Sequence, residues 1–346
     1  MLAGDGIGPE VMAEGIKVLV AVERGLHEVG FTLTEHSMGA AEYLRNGNPL
    51  PEKSFAACEQ ADAILLGAMG LPSVRWPDGK ELTPQIDLRE RLDLYNGMRP
   101  IHLYHAQHSP LKKYCAGDID FVIVRESTEG LFSARLSKSA SKDEVADVMR
   151  VTRKGTERIC RAALRIAQQR GKRCALVDKA NVLPSMAYFR SIFDEVAKEF
   201  PDVQTEHIYV DAAALFLVRK PHYFDVLVTE NMFGDILSDL AAGLVGGMGM
   251  APSADIGDKH AVFQPSHGSA PDIAGKGIAN PIATILSVAL MLEWFAHPET
   301  KRGAATIRRA VETVLSNPDN RTADLGGSLS TRKMGDLVVD NLLFTI

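Results

Sequence analysis

Short apolar runs alternate along this chain with longer stretches in which apolar residues recur every three or four positions. Residues 61–66, 121–124, 174–177, 207–210 and 225–228 are too short for helices, and the pattern predicts strands there. Residues 153–170 and 186–200 carry the helical period. In the first, Ile159, Ala162, Ala163 and Ile166 fall on one face, Thr152 is placed to cap the start and Gly171 to end the helix. Such alternation predicts an α/β architecture with much parallel sheet. Residues 282–295 are the longest apolar stretch. They include Thr284, Ser287 and Glu293 and are too few to cross a bilayer, so they predict a buried helix. Residues 133–147 are polar and rich in Ser and Lys, which predicts an exposed arm or hairpin. No internal repeat, low-complexity tract or long linker is visible.

The opening GDGIGPEVM reads as a glycine turn entering a helix, with Pro9 near its first position. It is close to a dinucleotide fingerprint but puts proline where the third glycine would stand. Only three residues precede the Gly4-Asp5-Gly6 turn, short for a core strand, which leaves open a natural start upstream of Met1.

Composition adds bounds rather than identity. With 346 residues and 46% hydrophobic content the chain can bury a large core, as two domains or one large α/β unit. A net charge of −6 gives no global attraction to nucleic acid or anionic membrane. Cys58, Cys115, Cys160 and Cys174 are scattered and form no metal pattern, so a reduced, cytoplasmic chain without signal peptide is expected.

Candidate chemistry concentrates in a few stretches. In NMFGDILSDLAAGL, Asp235 and Asp239 are one helical turn apart on one face, and the apolar Ile236, Leu237 and Leu240 predict a largely buried helix. Two such carboxylates repel unless a cation joins them, and oxygen donors suit Mg²⁺ or Mn²⁺. Asp211, opening another apolar helix, is a candidate third ligand; a solvated acidic stripe is the plainer alternative. Arg89 and Arg99 flank a helix end, and Arg125 ends an apolar strand, where ligands collect in open α/β sheets. Three converging guanidinia would clamp carboxylates, although spacing alone does not show convergence and surface salt bridges are the alternative. Lys179 ends another apolar strand beside Asp178 and can be either a base or an ordinary paired lysine. The stretch HGSAPDIAGKGIANP is glycine-rich and enters the long apolar helix; His267, its backbone N–H groups and Asp272 could meet a nucleotide, Asp272 being suited to ribose hydroxyls. Residues 150–173 hold nine Lys/Arg and one acid, Glu157: a nucleic-acid face or a solvated or subunit-facing helix.

Taken together and in order, GDGIGPEV, DLYNGMRP, VRESTEG, VDKANVL, NMFGDILSDLAAGL and HGSAPDIAGKGIANP resemble the metal-dependent β-decarboxylating dehydrogenases of isopropylmalate, isocitrate, tartrate and D-malate, from Gly4 to about Gly327. The resemblance implies that family's non-Rossmann α/β fold, with a discontinuous first domain (1–95 and 250–346) and an inserted domain (96–249) that forms a homodimer. It implies an active site shared between subunits, NAD and Mg²⁺ or Mn²⁺ as cofactors, and a small hydroxy-acid substrate, with neither nucleic acid nor membrane as partner. By motif, Arg89, Arg99 and Arg125 would hold substrate carboxylates. Asp235 and Asp239 would bind the metal with Asp211 of the other subunit, and Lys179 of that subunit would help deprotonate the hydroxyl. His267, Gly268, Asp272, Ile273, Asn280 and Asp324 would meet the cofactor; Asp272-Ile273 resembles the NAD-using members.

Two departures matter. Phe132 stands where the family usually places a tyrosine that donates a proton. Leu82, Thr83, Gln85 and Ile86 reproduce neither the isopropylmalate nor the isocitrate pocket, and Gln85 argues against a purely apolar one. The expected activity is therefore oxidation, with decarboxylation, of a malate-type acid, isopropylmalate being the nearest named substrate and tartrate or D-malate the alternative. A non-catalytic relative that binds RNA through residues 150–173 is the competing class.

Overall fold

The computed structural model describes residues 1–135 and 143–343. Its centre is one nine-stranded sheet. The strands are β1 (Leu2–Gly4), β2 (Ile64–Ala68), β3 (Asn96–His102), β4 (Asp120–Glu126), β5 (Arg173–Asp178), β6 (Gln204–Tyr209), β7 (Val226–Thr229), β8 (Pro252–Ile256) and β9 (Ala261–Pro265). Their spatial order is β1-β2-β9-β8-β3-β4-β7-β5-β6. Pairing is parallel toward both edges and antiparallel in the middle, from β9 through β8 and β3 to β4.

Strand β4 shows why its sequence is a continuous apolar run. Val122 and Val124 pack under the helices Arg153–Gln168 and Pro184–Ala197, while Phe121 and Ile123 pack on the other face with residues of the helices Val210–Arg219 and Asn231–Gly243. A strand covered on both faces has no polar side to alternate with. A separate cluster surrounds the helix Ile282–Trp294, whose residues 282–292 are all buried, and draws in the helices Gly8–Glu23, Pro298–Ser316 and Thr331–Asp340.

The glycine turn ties these layers to the site. Gly4 and Gly6 have φ of 78° and 57°, and a Cβ on either would collide with the carbonyl of Ala68 or Ser269. Between them the buried Asp5 accepts from the N–H groups of Ala40 (2.7 Å), Ala41 (2.9 Å) and Gly70 (2.8 Å), closing the start of the helix Ala40–Asn46. The motif is thus a structural turn, and Ile7 N–H donating to Ser269 C=O at 2.8 Å fixes the loop after β9.

Most predicted elements form where the pattern places them. Thr152 caps its helix through Gly155 N–H at 3.1 Å. Gly171 does not end that helix by a left-handed turn, however. Lys172 takes the positive φ, 58°, and Gly171 instead leaves room for the Asp225 carboxylate. Val210 begins a helix rather than ending β6. Of the expected 133–147 arm, residues 136–142 lie outside the described residues, and 131–134 form a single 3₁₀ turn.

Candidate active site

Register brings the arginines together. In the antiparallel β3–β4 pair Gly97 faces Arg125, so Arg99, two residues along, projects from the same face as Arg125. On the other side of β3, Gly97 faces Asp255 of β8. Gly97 leaves the space between them empty: a Cβ there would strike the Ser127 hydroxyl and press on Asp255. Arg89 enters from the helix Pro84–Arg91. All three guanidinia line one cavity of about 270 Å³.

Asp255 organises them. It is 2% exposed, and its carboxylate receives Arg89 at 3.0 Å, Arg99 at 3.3 Å and the Gln264 amide at 2.7 Å. Burial alone would raise its pKa, but Arg89, Arg99 and Arg125 outweigh that and hold it below the usual carboxylate range. Arg125 is 3% exposed; burial and then Arg89 push it down to about 10, still charged at neutral pH. It donates from Nε to Asn231 Oδ1 at 2.9 Å and from Nη2 to the same oxygen at 2.7 Å, and pairs with Asp235. A Cβ at position 234 would collide with its aliphatic stem, so Gly234 makes room for it. Asp255 and Asn231 were missed in the sequence. The first is an acid inside an otherwise apolar strand, and the second stands one turn before Asp235 on the same helix, so each carried a readable signal.

Asp235 and Asp239 both line the cavity, on one face of the helix Asn231–Gly243. This helix is less buried than its composition predicts. Leu237 is buried, but Ile236 is 59% exposed and Asp239 is exposed, because none of the described residues covers that face. Enough protein lies behind Asp239 that burial, with Asp235 second, still raises its pKa. Asp211 and Lys179 do not line the cavity; they pair with each other at 2.9 Å. Asp178, next to Lys179 in the chain, pairs with Arg190 through two 2.7 Å bonds.

The loop after β9 contributes His267 and Gly268 to the cavity wall. His267 Nδ1 lies 2.9 Å from the Gly268 carbonyl, while its Nε2 is shielded without a partner among the described residues; burial lowers its pKa. Asp272 is exposed, and Ile273 packs against Ile7, Val11 and Ala279. Gly275 and Gly277 take φ of 74° and 64° with open space around them. Asn280 donates to Asp324 at 3.1 Å, so those two are neighbours.

Phe132 lines the same cavity, with the Arg125 guanidinium 5.1 Å from its ring centre. Just beyond it Arg135 bonds Asp87 at 2.6 Å and Glu90 at 2.7 Å, which fastens this segment to the helix bearing Arg89. Gln85 and Ile86 complete the wall. The basic stretch 150–173 is not a free positive face: Arg153 reaches Glu195, Arg158 Asp93, Arg161 Glu199, Arg170 Asp120 and Asp225, and Lys172 Asp202.

The family model described as isocitrate/isopropylmalate dehydrogenase matches residues 1–338. The chain belongs to that family. It is 46% identical to a 3-isopropylmalate dehydrogenase of Moorella thermoacetica, covering 98% of this chain and 97% of that protein, and 45% identical to one of Thermotoga maritima, covering 99% and 98%. The crystal structure of an isocitrate dehydrogenase from Methylococcus capsulatus superposes with a TM-score of 0.87 at 36% identity, covering 99% and 98% of the two chains. This isocitrate/isopropylmalate-type chain is accordingly a decarboxylating dehydrogenase with that family's mixed-sheet α/β fold, and nothing in these likenesses supports the nucleic-acid alternative. No described helix is long and apolar enough to cross a membrane.

The residues present fit the groups this family uses. Asp235 and Asp239 offer oxygen donors on one face of the same helix, both lining the cavity. No group of three acidic, His or Cys side chains placed to hold a metal ion is found among the described residues. The unpartnered His267 Nε2 beside the open Gly268 suits a polar ligand entering along the loop.

Proposed function

We propose that this enzyme oxidises a malate-type 2-hydroxy dicarboxylic acid with loss of CO₂, using NAD and a bound Mg²⁺ or Mn²⁺. The observation that carries this reading is the meeting of Arg89, Arg99 and Arg125 beside Asp235 and Asp239 in one small cavity. Asp255, Asp235 and Asp239 balance the three arginines. A divalent cation and a dianionic acid entering together keep that balance, whereas either alone breaks it.

Arg89, Arg99 and Arg125 would hold the substrate's carboxylates, prepositioned by Asp255 and Asn231 so that little ordering remains on binding. Asp235 and Asp239 would hold the cation, which would polarise the 2-hydroxyl and the adjacent carboxylate. NAD, met by His267, Gly268, Asp272, Ile273, Asn280 and Asp324, would accept hydride from C2. The exposed Asp272 carboxylate suits ribose hydroxyls and repels a 2′-phosphate.

The remaining ligand and the base would come from a second copy. Leu215, Val218 and Ile236 are exposed on two neighbouring helices, the last beside Asp235. A homodimer joined over this face would bring Asp211 and Lys179 of one copy toward the carboxylates of the other. The division into 1–95 with 250–346, and 96–249 as the part that dimerises, accords with this reading. A cytoplasmic location accords with it as well.

The test is NADH formation by the purified protein with Mn²⁺, offered malate, tartrates, isocitrate and 3-isopropylmalate, the last being the substrate in the relatives' name. Turnover of at least one supports the reading; turnover of none, with NAD or NADP, removes it.

A further inference from the structure

The charge of the cavity changes once the acid behind its wall is included. Among the described residues, the charged side chains lining it are Arg89, Arg99, Arg125, Asp235 and Asp239, which leaves one positive charge in excess. His267, also on the wall, is shifted toward its neutral form by burial. Asp255 is not on the wall, yet it pairs with Arg89 and Arg99 and removes that excess. A divalent cation on Asp235 and Asp239 then leaves two positive charges for the acid that binds with it. The oppositely charged Lys179–Asp211 pair, brought by a second copy, leaves that balance unchanged.

Strand geometry puts Asp255 on the ligand's side of the sheet. Side chains alternate along β8, so Ser253 and Asp255 share one face, and Gln264, opposite Ser253 on β9, shares it too. Ser253 and Gln264 both line the cavity, which makes this the cavity's face. The Gln264 amide spans the remaining depth and donates to Asp255 at 2.7 Å. With both oxygens engaged and 2% of the residue exposed, the Asp255 carboxylate is held away from direct contact with a ligand. Its charge still acts across one layer of side chains. At the effective dielectric of a protein site, a unit charge about 6–8 Å from another changes binding by roughly tenfold to a hundredfold.

We propose that Asp255 sets the charge selectivity of this site: with the cation bound, it matches the cavity to an acid carrying two negative charges and disfavours one carrying three. This rests on the reading of the cavity as a site for a carboxylic acid and a metal. A neutral residue at 255 leaves three positive charges facing the ligand, the match for a tricarboxylate. Because Asp255 acts through Arg89 and Arg99 without touching the ligand, its effect follows the charge of the acid and not its shape. A purely structural Asp255 would affect all these acids alike.

The experiment measures calorimetric binding of 3-isopropylmalate and isocitrate with Mn²⁺ and without NAD, so that nothing turns over. Both acids share the malate frame; their isopropyl and carboxymethyl groups on C3 are close in size and differ by one charge. The natural protein should bind 3-isopropylmalate more tightly than isocitrate. Asp255→Asn and Asp255→Ser should move the ratio of the two affinities roughly tenfold to a hundredfold toward isocitrate, whereas Asp255→Glu, which keeps the charge, should leave it within about threefold of the natural value. Thermal melting checks that each variant is folded. Tighter binding of isocitrate by the natural protein, binding of neither acid, or an unmoved ratio in a folded neutral variant overturns the proposal. If neither neutral variant folds, the order of binding by the natural protein decides it. Failure of the proposed reaction shows separately: acids bound in the expected order but not oxidised once NAD is added would remove the reaction and leave the charge selectivity standing.

Discussion

At the scale of single residues, the site depends on groups that hold other groups. Asp255 is the clearest case. Replacing it by Asn would leave Arg89 and Arg99 buried without their common counter-charge, and Asp255→Asn should cost about 3–5 kcal/mol of unfolding free energy in urea titration. Its folded pKa is depressed, so its contribution is present above the ordinary carboxylate pKa and is lost as pH falls through the folded value. Asp239→Asn removes a charged oxygen donor and should weaken Mn²⁺ binding, read by calorimetry, at least tenfold, that is by about 1.4 kcal/mol; unchanged affinity would take Asp239 out of the metal site. Phe132 cannot donate a proton, yet general acid assistance is worth only ~10²–10⁴-fold, so in the proposed reaction its presence would slow the final protonation without forbidding it. Phe132→Tyr should increase CO₂ release per unit time, and a decrease would mean that the ring is fitted to the substrate or to Arg125. The sequence carried the chemical types of these residues but not their partners. Arg89, Arg99 and Arg125 were legible as candidates because each breaks a pattern, whereas their convergence depends on β3–β4 register, which a strand's own sequence does not state.

At the scale of elements, the same logic separates what was readable from what was not. The strand ending in VRE announces itself by its apolar run, and the acid after Arg125 then has to be accommodated. Glu126 is 2% exposed and accepts from Thr128 N–H at 3.0 Å, Thr128 Oγ1 at 2.7 Å and Glu129 N–H at 2.6 Å. Burial nevertheless raises its pKa to about 7. A carboxyl with a raised folded pKa binds its proton more tightly folded than unfolded. Stability should therefore fall as pH rises from about 4.5 to about 7, by on the order of 3 kcal/mol from this group. Glu126→Gln should flatten that slope in urea titrations at pH 5 and pH 8; an unchanged slope would place the titration elsewhere. The helix Asn231–Gly243 shows the limit of periodicity. Its pattern correctly put Asp235 and Asp239 on one face, but an apolar residue looks the same whether it meets its own chain or another, and Ile236 is left exposed. Gly171 taught the converse: a glycine after a helix can serve space rather than a turn, here the approach of Asp225.

At the scale of the whole molecule, the proposed reaction needs two copies. The exposed apolar residues on helices next to the carboxylates, and the fact that the paired Lys179 and Asp211 do not line the cavity, are the features that lead there. If the sites are shared, mixing unfolded Lys179→Ala and Asp239→Asn chains and refolding them together should recover about a quarter of natural activity, because half the dimers carry one intact site of two. No recovery would mean that each chain's site is self-contained. Ile236→Asp should shift sedimentation from dimer to monomer. Fold family was the most legible property of all, since several long motifs in fixed order depend on no single contact. Substrate identity was the least legible, because the cavity wall is assembled from residues of several distant segments.

The most direct test of the account is a single time course of NADH and CO₂ from the purified protein with Mn²⁺, NAD and its best malate-type acid. The account predicts that both appear, in equal amounts and only with the metal present. NADH without CO₂, or neither product from any of the acids, would contradict it.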